Sequence, residues 1–352
     1  FRVIQSVDMN TKSFFSNLPK KVFIGLSILP NAKIEIDSLE VSFEKEDVSI
    51  NEYFSGNILL ICPGYPMVKN KYLFSFIHSR VQAYKENKLN VDVAVVHSEY
   101  IEKTEFATFE NVDYIRTGYN QIRNLLQVKK YDKILIHFFD PAYFQLLEPQ
   151  DLSNTQVILY SHGTDALYRA FDVIGRPYFV SDYVVPESFT KTFALRDYYI
   201  KKYNNLPNVK FVFVSNWAKK MSEELLKIKY NNAEVIPCFI DEKQFPYTEK
   251  DPELRKRVFV LRKFDDLSTY SIDIDVRVIL ELSHRKCFND MEFSIYGDGG
   301  IHDKLVEPLR KFSNVHIYRK FLSHDEIKMM QKENGIGLFA TRFDTQAVSS
   351  CE

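Results

Sequence analysis

The chain has 352 residues, of which 45% are hydrophobic, so it is long enough to form two domains with separate cores. Its 46 basic and 47 acidic residues nearly cancel, which argues against a nucleic-acid-binding protein, because such proteins usually carry a positive excess. The four cysteines are far apart and form no CxxC pair, and no apolar run approaches the roughly 20 residues of a membrane span, so neither a disulfide framework, a zinc site nor a membrane helix is indicated.

The chain begins with a strand-rich leading element over residues 1–50, to which the sequence assigns no role. After it, apolar strands alternate with helices. Strands are predicted over 57–62, 91–96, 112–116, 133–139, 156–160 and 210–214, and helices over 70–88, 120–130, 187–203 and 217–227. This alternation is typical of a parallel sheet covered by helices on both faces.

A charged, proline-containing stretch over 241–251 separates this series from a second one. Ser323 is predicted to be the N-cap of the last helix of that second series. The second series has strands over 257–261, 291–296, 315–318 and 335–340, and helices over 274–285, 301–312 and 324–332. We therefore predict two doubly wound, Rossmann-like domains, over 51–245 and 246–352.

Several glycines and polar residues follow the predicted strands, and ligands of open parallel sheets bind beyond the carboxyl ends of the strands. Gly297 and Gly299 lie in a turn between a strand and a helix, where small residues let the backbone approach a nucleotide and the helix start offers N–H groups to an anion. An ordinary tight turn is the competing interpretation. The other candidates at strand ends are Gly64, His162, Ser215, Arg262 and Lys263.

Two carboxylates, Asp344 and Glu352, lie at the end of the sequence with seven residues between them. The residues 345–350 are typical of a loop entering a helix, so this spacing can bring both carboxylates to one cleft. Carboxylates accept hydrogen bonds from sugar hydroxyls, and N–H groups at the helix start, near Ser349, can bind a diphosphate. A surface turn residue and a solvated helix residue are the competing interpretations.

Together these segments resemble the retaining GT-B glycosyltransferases of family four, over residues 57–352. The family's late motif, two acidic residues with seven between them, is matched by Asp344 and Glu352, with Asp where Glu is usual. Three further family features are the glycine turn of the second domain, the acceptor-side histidine loop and the end of the first domain. The segments that resemble them are 295–299, 161–165, 212–217 and 235–241.

The resemblance implies an α/β fold of the GT-B class, with two Rossmann-like domains facing a cleft. It implies that Glu352 binds the donor ribose and that Asp344 contacts the transferred sugar. Arg262 would face the diphosphate, where positive charge stabilises the leaving group, and His162 would lie beside the reacting carbon. The family uses no metal, so neither a metal nor a cofactor is expected beyond the nucleotide-sugar donor. The remaining donor-binding candidates are Lys263, Gly64, Gly297, Gly299 and Ser349.

Three departures from the family pattern accompany the resemblance. The stretch 265–270 lacks the Lys that usually follows the Arg, and Lys263 is an imperfect substitute because neighbours on a strand point to opposite faces. The first loop, 63–70, lacks the usual glycine pair. The sequence stops at Glu352, before the remaining helices and sheet of the family, so we expect the second domain to be incomplete.

The predicted function is retaining transfer of a hexose from a nucleotide-sugar, most simply a UDP-sugar, to a polysaccharide, glycolipid or glycoconjugate acceptor in the cytoplasm. A nucleotide-sugar epimerase and a non-catalytic GT-B partner subunit stay open as alternatives, and the departures motivate the second. The helix over 187–203 mixes aromatic and basic residues, so it either contacts the inner face of the cell membrane, near a lipid-linked acceptor, or packs its apolar side into the core. No nucleic-acid partner is expected.

Overall fold

A computed structural model describes residues 50–351, except 69, 72, 99–103, 176–183, 241, 243, 244, 266 and 268. The predicted leading element over 1–50 lies outside the described residues apart from Ile50. Contacts divide the chain into two compact units, one of Phe1–His137 with Ala142–Ile158 and the other of Phe138–Pro141 with Leu159–Glu352. The predicted boundary at 245/246 falls inside the second unit, between residues 233–235 and 257–261, which belong to different sheets. The assignment of domains stays a prediction.

The described residues of the first unit form five strands in the spatial order β3-β4-β2-β1-β5: β1 (Ile58–Cys62), β2 (Val91–Val96), β3 (Glu105–Phe109), β4 (Val112–Thr117) and β5 (Lys133–His137). Its helices are α1 (Ile50–Tyr53), α2 (Ser75–Glu86), α3 (Tyr119–Val128) and most of α4 (Pro141–Leu147). All five residues of β1 are buried, as expected of a central strand covered on both faces. The strands pair in parallel except for β3, which runs antiparallel to β4.

The prediction of a parallel sheet is therefore wrong at this edge. The two-residue turn between β3 and β4 consists of Glu110 and Asn111, both with positive φ, of 43° and 64°. This left-handed pair matches the twist of a tight hairpin, and Asn is one of the residues that adopts it readily. The sheet of this unit is mixed as a result.

The second unit contains the end of β6 (Gln156–Ser161), followed in the sheet by β7 (Val209–Phe213) and β8 (Ala233–Val235). Around them lie α5 (Thr164–Tyr168), a π-helix (Arg169–Gly175), α6 (Glu187–Tyr203) and α7 (Asn216–Leu226). Ser215 caps α7, since its side chain accepts a hydrogen bond from the N–H of Ala218 at 3.1 Å.

The same unit contains a parallel four-stranded sheet in the order β11-β10-β9-β12, formed by β9 (Arg257–Leu261), β10 (Glu292–Tyr296), β11 (Val315–Tyr318) and β12 (Ile336–Gly337). Its helices are α8 (Ile272–Leu282), α9 (His302–Val306), α10 (His324–Glu333) and α11 (Val348–Cys351), with short 3₁₀ turns at Pro252–Lys256, Lys286–Asp290 and Glu307–Leu309. One apolar cluster forms the core between sheet and helices, and includes Val258, Val260, Phe264, Ile279, Phe293 and Leu309.

Two predicted elements of this sheet are shorter than the sequence suggested. The helix predicted over 301–312 ends at Val306, because Pro308 has no N–H to donate and continues the chain as a 3₁₀ turn. The strand predicted over 335–340 pairs only at Ile336–Gly337, and the N–H of Ala340 donates to Asp275 Oδ1 at 3.0 Å instead of to a strand. The N-cap at Ser323 is confirmed, with a full capping box to Glu326.

None of the helices within the described ranges combines the length and apolar character needed to cross a bilayer. Helix α6 has the bounds predicted for the aromatic and basic helix. It buries Phe193, Tyr199, Ile200 and Tyr203, while Phe189 and Tyr198 are exposed. Core packing therefore accounts for much of its apolar side, and its contact with a membrane stays a prediction.

Candidate functional site

Arg262 directly follows β9, an interior strand of the four-stranded sheet, and only 5% of its surface is exposed. Its guanidinium carbon lies 4.8 Å from the ring centre of Phe339 and 5.3 Å from that of Tyr270. Nη1 donates to Ser349 Oγ at 3.0 Å, whereas Nε and Nη2 are buried without a hydrogen-bond partner. Because buried N–H groups of a charged side chain are costly to leave unpaired, this site is suited to an anion that accepts from both.

Two carboxyl groups act on Arg262. Burial lowers the pKa of the guanidinium, and Asp275 and Asp344 oppose this by their charge. Burial raises the pKa of Asp344, against the hydrogen bond from the N–H of Gln346 and the charge of Arg262. Burial also raises the pKa of Asp275 to about 7, against a hydrogen bond from the N–H of Ala340 and the charge of Arg262. Arg262 is therefore a buried cation whose neighbouring carboxyl groups resist ionisation.

The residues 344–349, here called the linking segment, contact three parts of the second unit. Thr345 Oγ1 donates to the carbonyl oxygen of His162 at 2.8 Å. Gln346 binds the backbone of Cys238 on both sides, accepting from its N–H at 2.6 Å and donating to its carbonyl oxygen at 3.3 Å. With the bond from Arg262 to Ser349, this segment brings the strand ends near 162, 238 and 262 together.

Hydrogen bonds to Asp165 fix the loop that carries His162. This buried carboxylate accepts from the backbone N–H groups of His162 at 3.1 Å, Gly163 at 2.8 Å and Phe139 at 3.1 Å. Gly163 has φ of 138°, and a Cβ there would lie 3.2 Å from the Thr345 side chain, so glycine suits both the conformation and the close approach. The position of His162 is therefore determined by backbone contacts on both sides of the loop.

The glycine turn packs against the chain that follows Arg262. Gly297 and Gly299 have φ of 150° and 154°, and side chains there would overlap the carbonyl of Arg262 and the backbone of Phe264, respectively. Close packing of two backbone segments is therefore sufficient to require both glycines. Their predicted contact with a donor nucleotide stays a prediction.

Lys263 lies apart from the buried guanidinium. The side chain of Lys263 is 58% exposed, and its Nζ lies 3.5 Å from Asp265 Oδ2. This agrees with the expectation that only one member of the pair Arg262–Lys263 faces the site. The donor contact predicted for Lys263 stays a prediction.

Gly64 and Glu352 are two further predicted donor-binding residues. Gly64 follows β1 in the first unit, and a Cβ there would lie 2.6 Å from the ring of Phe74. Packing of Phe74 therefore accounts for glycine at this position. Glu352 lies outside the described residues, so its predicted contact with the ribose stays a prediction.

Two residues of the site, Asp275 and Gln346, were not predicted from the sequence. Asp275 has a signal in hindsight: it stands with Ile272, Val276 and Ile279 at helical spacings of three and four, on the buried face of α8. A carboxyl group on the apolar face of a helix needs a hydrogen-bond or charge partner, which is the signal. Asp275 also lies in the first turn of its helix, where acidic residues are common, so the signal is easily overlooked. Gln346 has no comparable signal, because its partners are backbone atoms.

Comparison with known proteins gives a fold but no family. No protein-family model and no curated protein matches the chain. A solved trehalose-phosphate synthase (UDP-forming) from Burkholderia vietnamiensis matches with a TM-score of 0.54 and 9% identity over 84% of this chain and 81% of that one. The trehalose 6-phosphate synthase from Burkholderia multivorans matches with a TM-score of 0.54 and 8% identity, over 84% and 81%.

A TarM variant from S. aureus matches with a TM-score of 0.45 and 15% identity over 70% of this chain, which spans only 44% of that protein. The architecture of the chain, with its α/β layers, one mixed and one parallel sheet, is that of the GT-B glycosyltransferase structures. The predicted fold class is thereby confirmed. At these low identities the likeness defines the fold alone.

Proposed function

We propose that the chain belongs to a glycosyltransferase that takes a UDP-sugar as donor and passes the sugar to a carbohydrate-containing acceptor. The observation that carries this proposal is the buried guanidinium of Arg262, with Nε and Nη2 unpaired at the end of an interior parallel strand. Ligands of open α/β sheets bind at this edge. The GT-B fold supplies the context, and one of its structural neighbours is described as UDP-forming.

The proposed chemistry follows from the charge of Arg262. A nucleoside diphosphate is the leaving group of sugar transfer, and negative charge grows on it as the bond to the sugar breaks. A guanidinium already desolvated and oriented by Phe339, Tyr270 and Ser349 stabilises that charge with little reorganisation. Asp344 would then contact the transferred sugar and His162 the reacting side, as the family resemblance implies. Retention of configuration and independence from metal are parts of this proposal.

Titration of the full chain with UDP, UDP-glucose and UDP-N-acetylglucosamine, using GDP-mannose as a matched control, tests the proposal. We expect saturable binding of UDP and of at least one UDP-sugar, with weaker binding of GDP-mannose. Release of UDP on addition of carbohydrate acceptors, followed by NMR of the product anomer, then measures transfer and its stereochemistry. A chain that binds neither UDP nor any UDP-sugar would refute the donor assignment.

A non-catalytic partner subunit is the second candidate. It is favoured by the exposed position of Lys263, which leaves Arg262 as the buried arginine or lysine among the described residues of the four-stranded sheet and its helices. A subunit of this kind would bind UDP but would not cleave UDP-sugars to UDP, whichever acceptor is added. It would also copurify with an active transferase. Incubation with UDP-glucose alone also distinguishes an epimerase, which would convert the donor into its stereoisomer.

A further inference from the structure

A buried carboxyl group beside Arg262 has no role in the proposed reaction so far. Asp275 lies in the first turn of α8 and is 0% exposed. Its Oδ1 accepts from the N–H of Ala340 at 3.0 Å, while Oδ2 is buried without a hydrogen-bond partner. Both oxygens of a buried, ionised carboxylate normally accept hydrogen bonds. In Asp275 only Oδ1 does so, and Oδ2 lacks the donor that would stabilise the ionised form.

The charges that act on Asp275 come from two elements. From the chain after β9 the charge of Arg262 favours the ionised form, and from the same helix the charge of Asp273 disfavours it. Asp273 is itself paired with Arg342 through two hydrogen bonds of 2.7 Å, one to each carboxylate oxygen. Among the described residues whose charge acts on Asp275, Arg262 is therefore the cation that stabilises its ionised form.

Arg262 and Asp275 attract each other without forming a hydrogen bond. Nε and Nη2 of the arginine and Oδ2 of the aspartate all stay unpaired. A diphosphate that accepts from Arg262 would bring two negative charges towards Asp275 and take over its counter-ion. Both changes disfavour the carboxylate, and the response of least free energy is protonation of Oδ2.

We propose that the donor diphosphate is bound with uptake of one proton by Asp275, an inference that rests on the proposed function. The proton passes from solvent to Oδ2, no other bond changes, and Arg262 exchanges a carboxylate for phosphate oxygens as its charge partner. Asp275 is in this sense a positioning residue: in the ligand-free site it compensates Arg262, and in the occupied site it becomes neutral. Burial raises the pKa of Asp275 in the ligand-free site to about 7, so the proton uptake occurs near neutral pH.

Calorimetric titration with UDP-glucose or UDP-N-acetylglucosamine, in buffers of different ionisation enthalpy, measures the proton directly. These donors are suitable because their diphosphate is a diester that does not itself titrate near neutrality. We expect uptake of up to one proton per donor above neutral pH, and an affinity that falls about tenfold between about pH 6 and about pH 8. Asp275→Asn is expected to bind without uptake and with an affinity independent of pH over this range.

Glu281→Gln is the matched control, because it removes one exposed acid from the same helix and should keep the proton uptake of the unmodified chain. Uptake that survives in Asp275→Asn would assign the proton to another group, such as His162, and overturn the inference. Donor binding without any uptake in the unmodified chain would overturn it as well, even if the variant failed to fold. Absence of donor binding at every pH would instead refute the proposed function itself.

Discussion

Replacement of Arg262 by Met separates function from stability. Met preserves the apolar stem and packs well against Phe339 and Tyr270, the two rings that the guanidinium contacts. It removes the charge and the two unpaired donors, Nε and Nη2. Hydrogen bonds between charged groups contribute about 1.5–3 kcal/mol each. Loss of two of them is therefore expected to weaken UDP binding by about 3 kcal/mol or more, which is at least about a hundredfold.

The same substitution is expected to leave the fold intact. Among the described residues the side chain of Arg262 makes one hydrogen bond, to Ser349, which has to offset the desolvation of a whole guanidinium. Replacing such a buried charge by an apolar side chain is often neutral or stabilising. At about pH 6 Asp275, with its pKa of about 7, is mostly protonated and no longer needs the counter-ion. The free energy of unfolding should therefore change by less than about 1 kcal/mol.

Calorimetric titration with UDP and urea denaturation, both at about pH 6, measure the two quantities. Arg310→Met is the control, since this guanidinium is about half exposed and pairs with Glu307 and Asp303. It should affect neither UDP binding nor the fold by a measurable amount. An Arg262→Met chain that binds UDP as tightly as the parent, or that loses several kcal/mol of stability, would show that the guanidinium is structural.

Three other substitutions, with Gly300→Ala as a control, test the interactions described for the second unit. The pKa of Asp275 is about 7 in the folded chain, above the pKa of the same carboxyl group in the unfolded chain. The contribution of Asp275 to the free energy of unfolding is therefore complete below its unfolded pKa and is lost as the pH rises through about 7. Asp275→Asn should abolish this decline and gain up to about 4 kcal/mol over the parent at about pH 8, measured by urea denaturation across pH. Gly299→Ala should lower the melting temperature sharply, because its Cβ would overlap the backbone of Phe264, whereas Gly300→Ala, where nothing lies within 4 Å, should have little effect. Ser323→Ala should cost about 1 kcal/mol by loss of the capping box, read from the same denaturation curves.

Most strands were predictable from the sequence because buried parallel strands are nearly continuous apolar runs. The strands β9 and β11 have the predicted bounds, Arg257–Leu261 and Val315–Tyr318. The edge strand β3 was missed, because an edge strand pairs on one side only and needs no apolar run. Its turn at Glu110–Asn111 places a Glu at positive φ, which sequence patterns rarely include.

The site was predictable only as far as its residues follow strand ends. Arg262, His162 and the stretch that begins at Asp344 were singled out by this rule, whereas the contacts of Gln346 were not predicted. Asp275 was not, because its partner Ala340 is 65 residues away and contributes a backbone N–H that any residue would offer. Contacts between a side chain and a distant backbone leave no pattern in one sequence.

The linking segment has a consequence for how related sequences should diverge. Thr345 and Gln346 bind carbonyl and N–H groups at His162 and Cys238, not their side chains. Cys238 contributes only backbone atoms to the bonds with Gln346, but its side chain is buried, so exchange is expected only among small apolar residues, whereas Gln346 itself should be retained. In an alignment of homologues, we therefore expect different small apolar residues at 238 and the same two residues at 345 and 346.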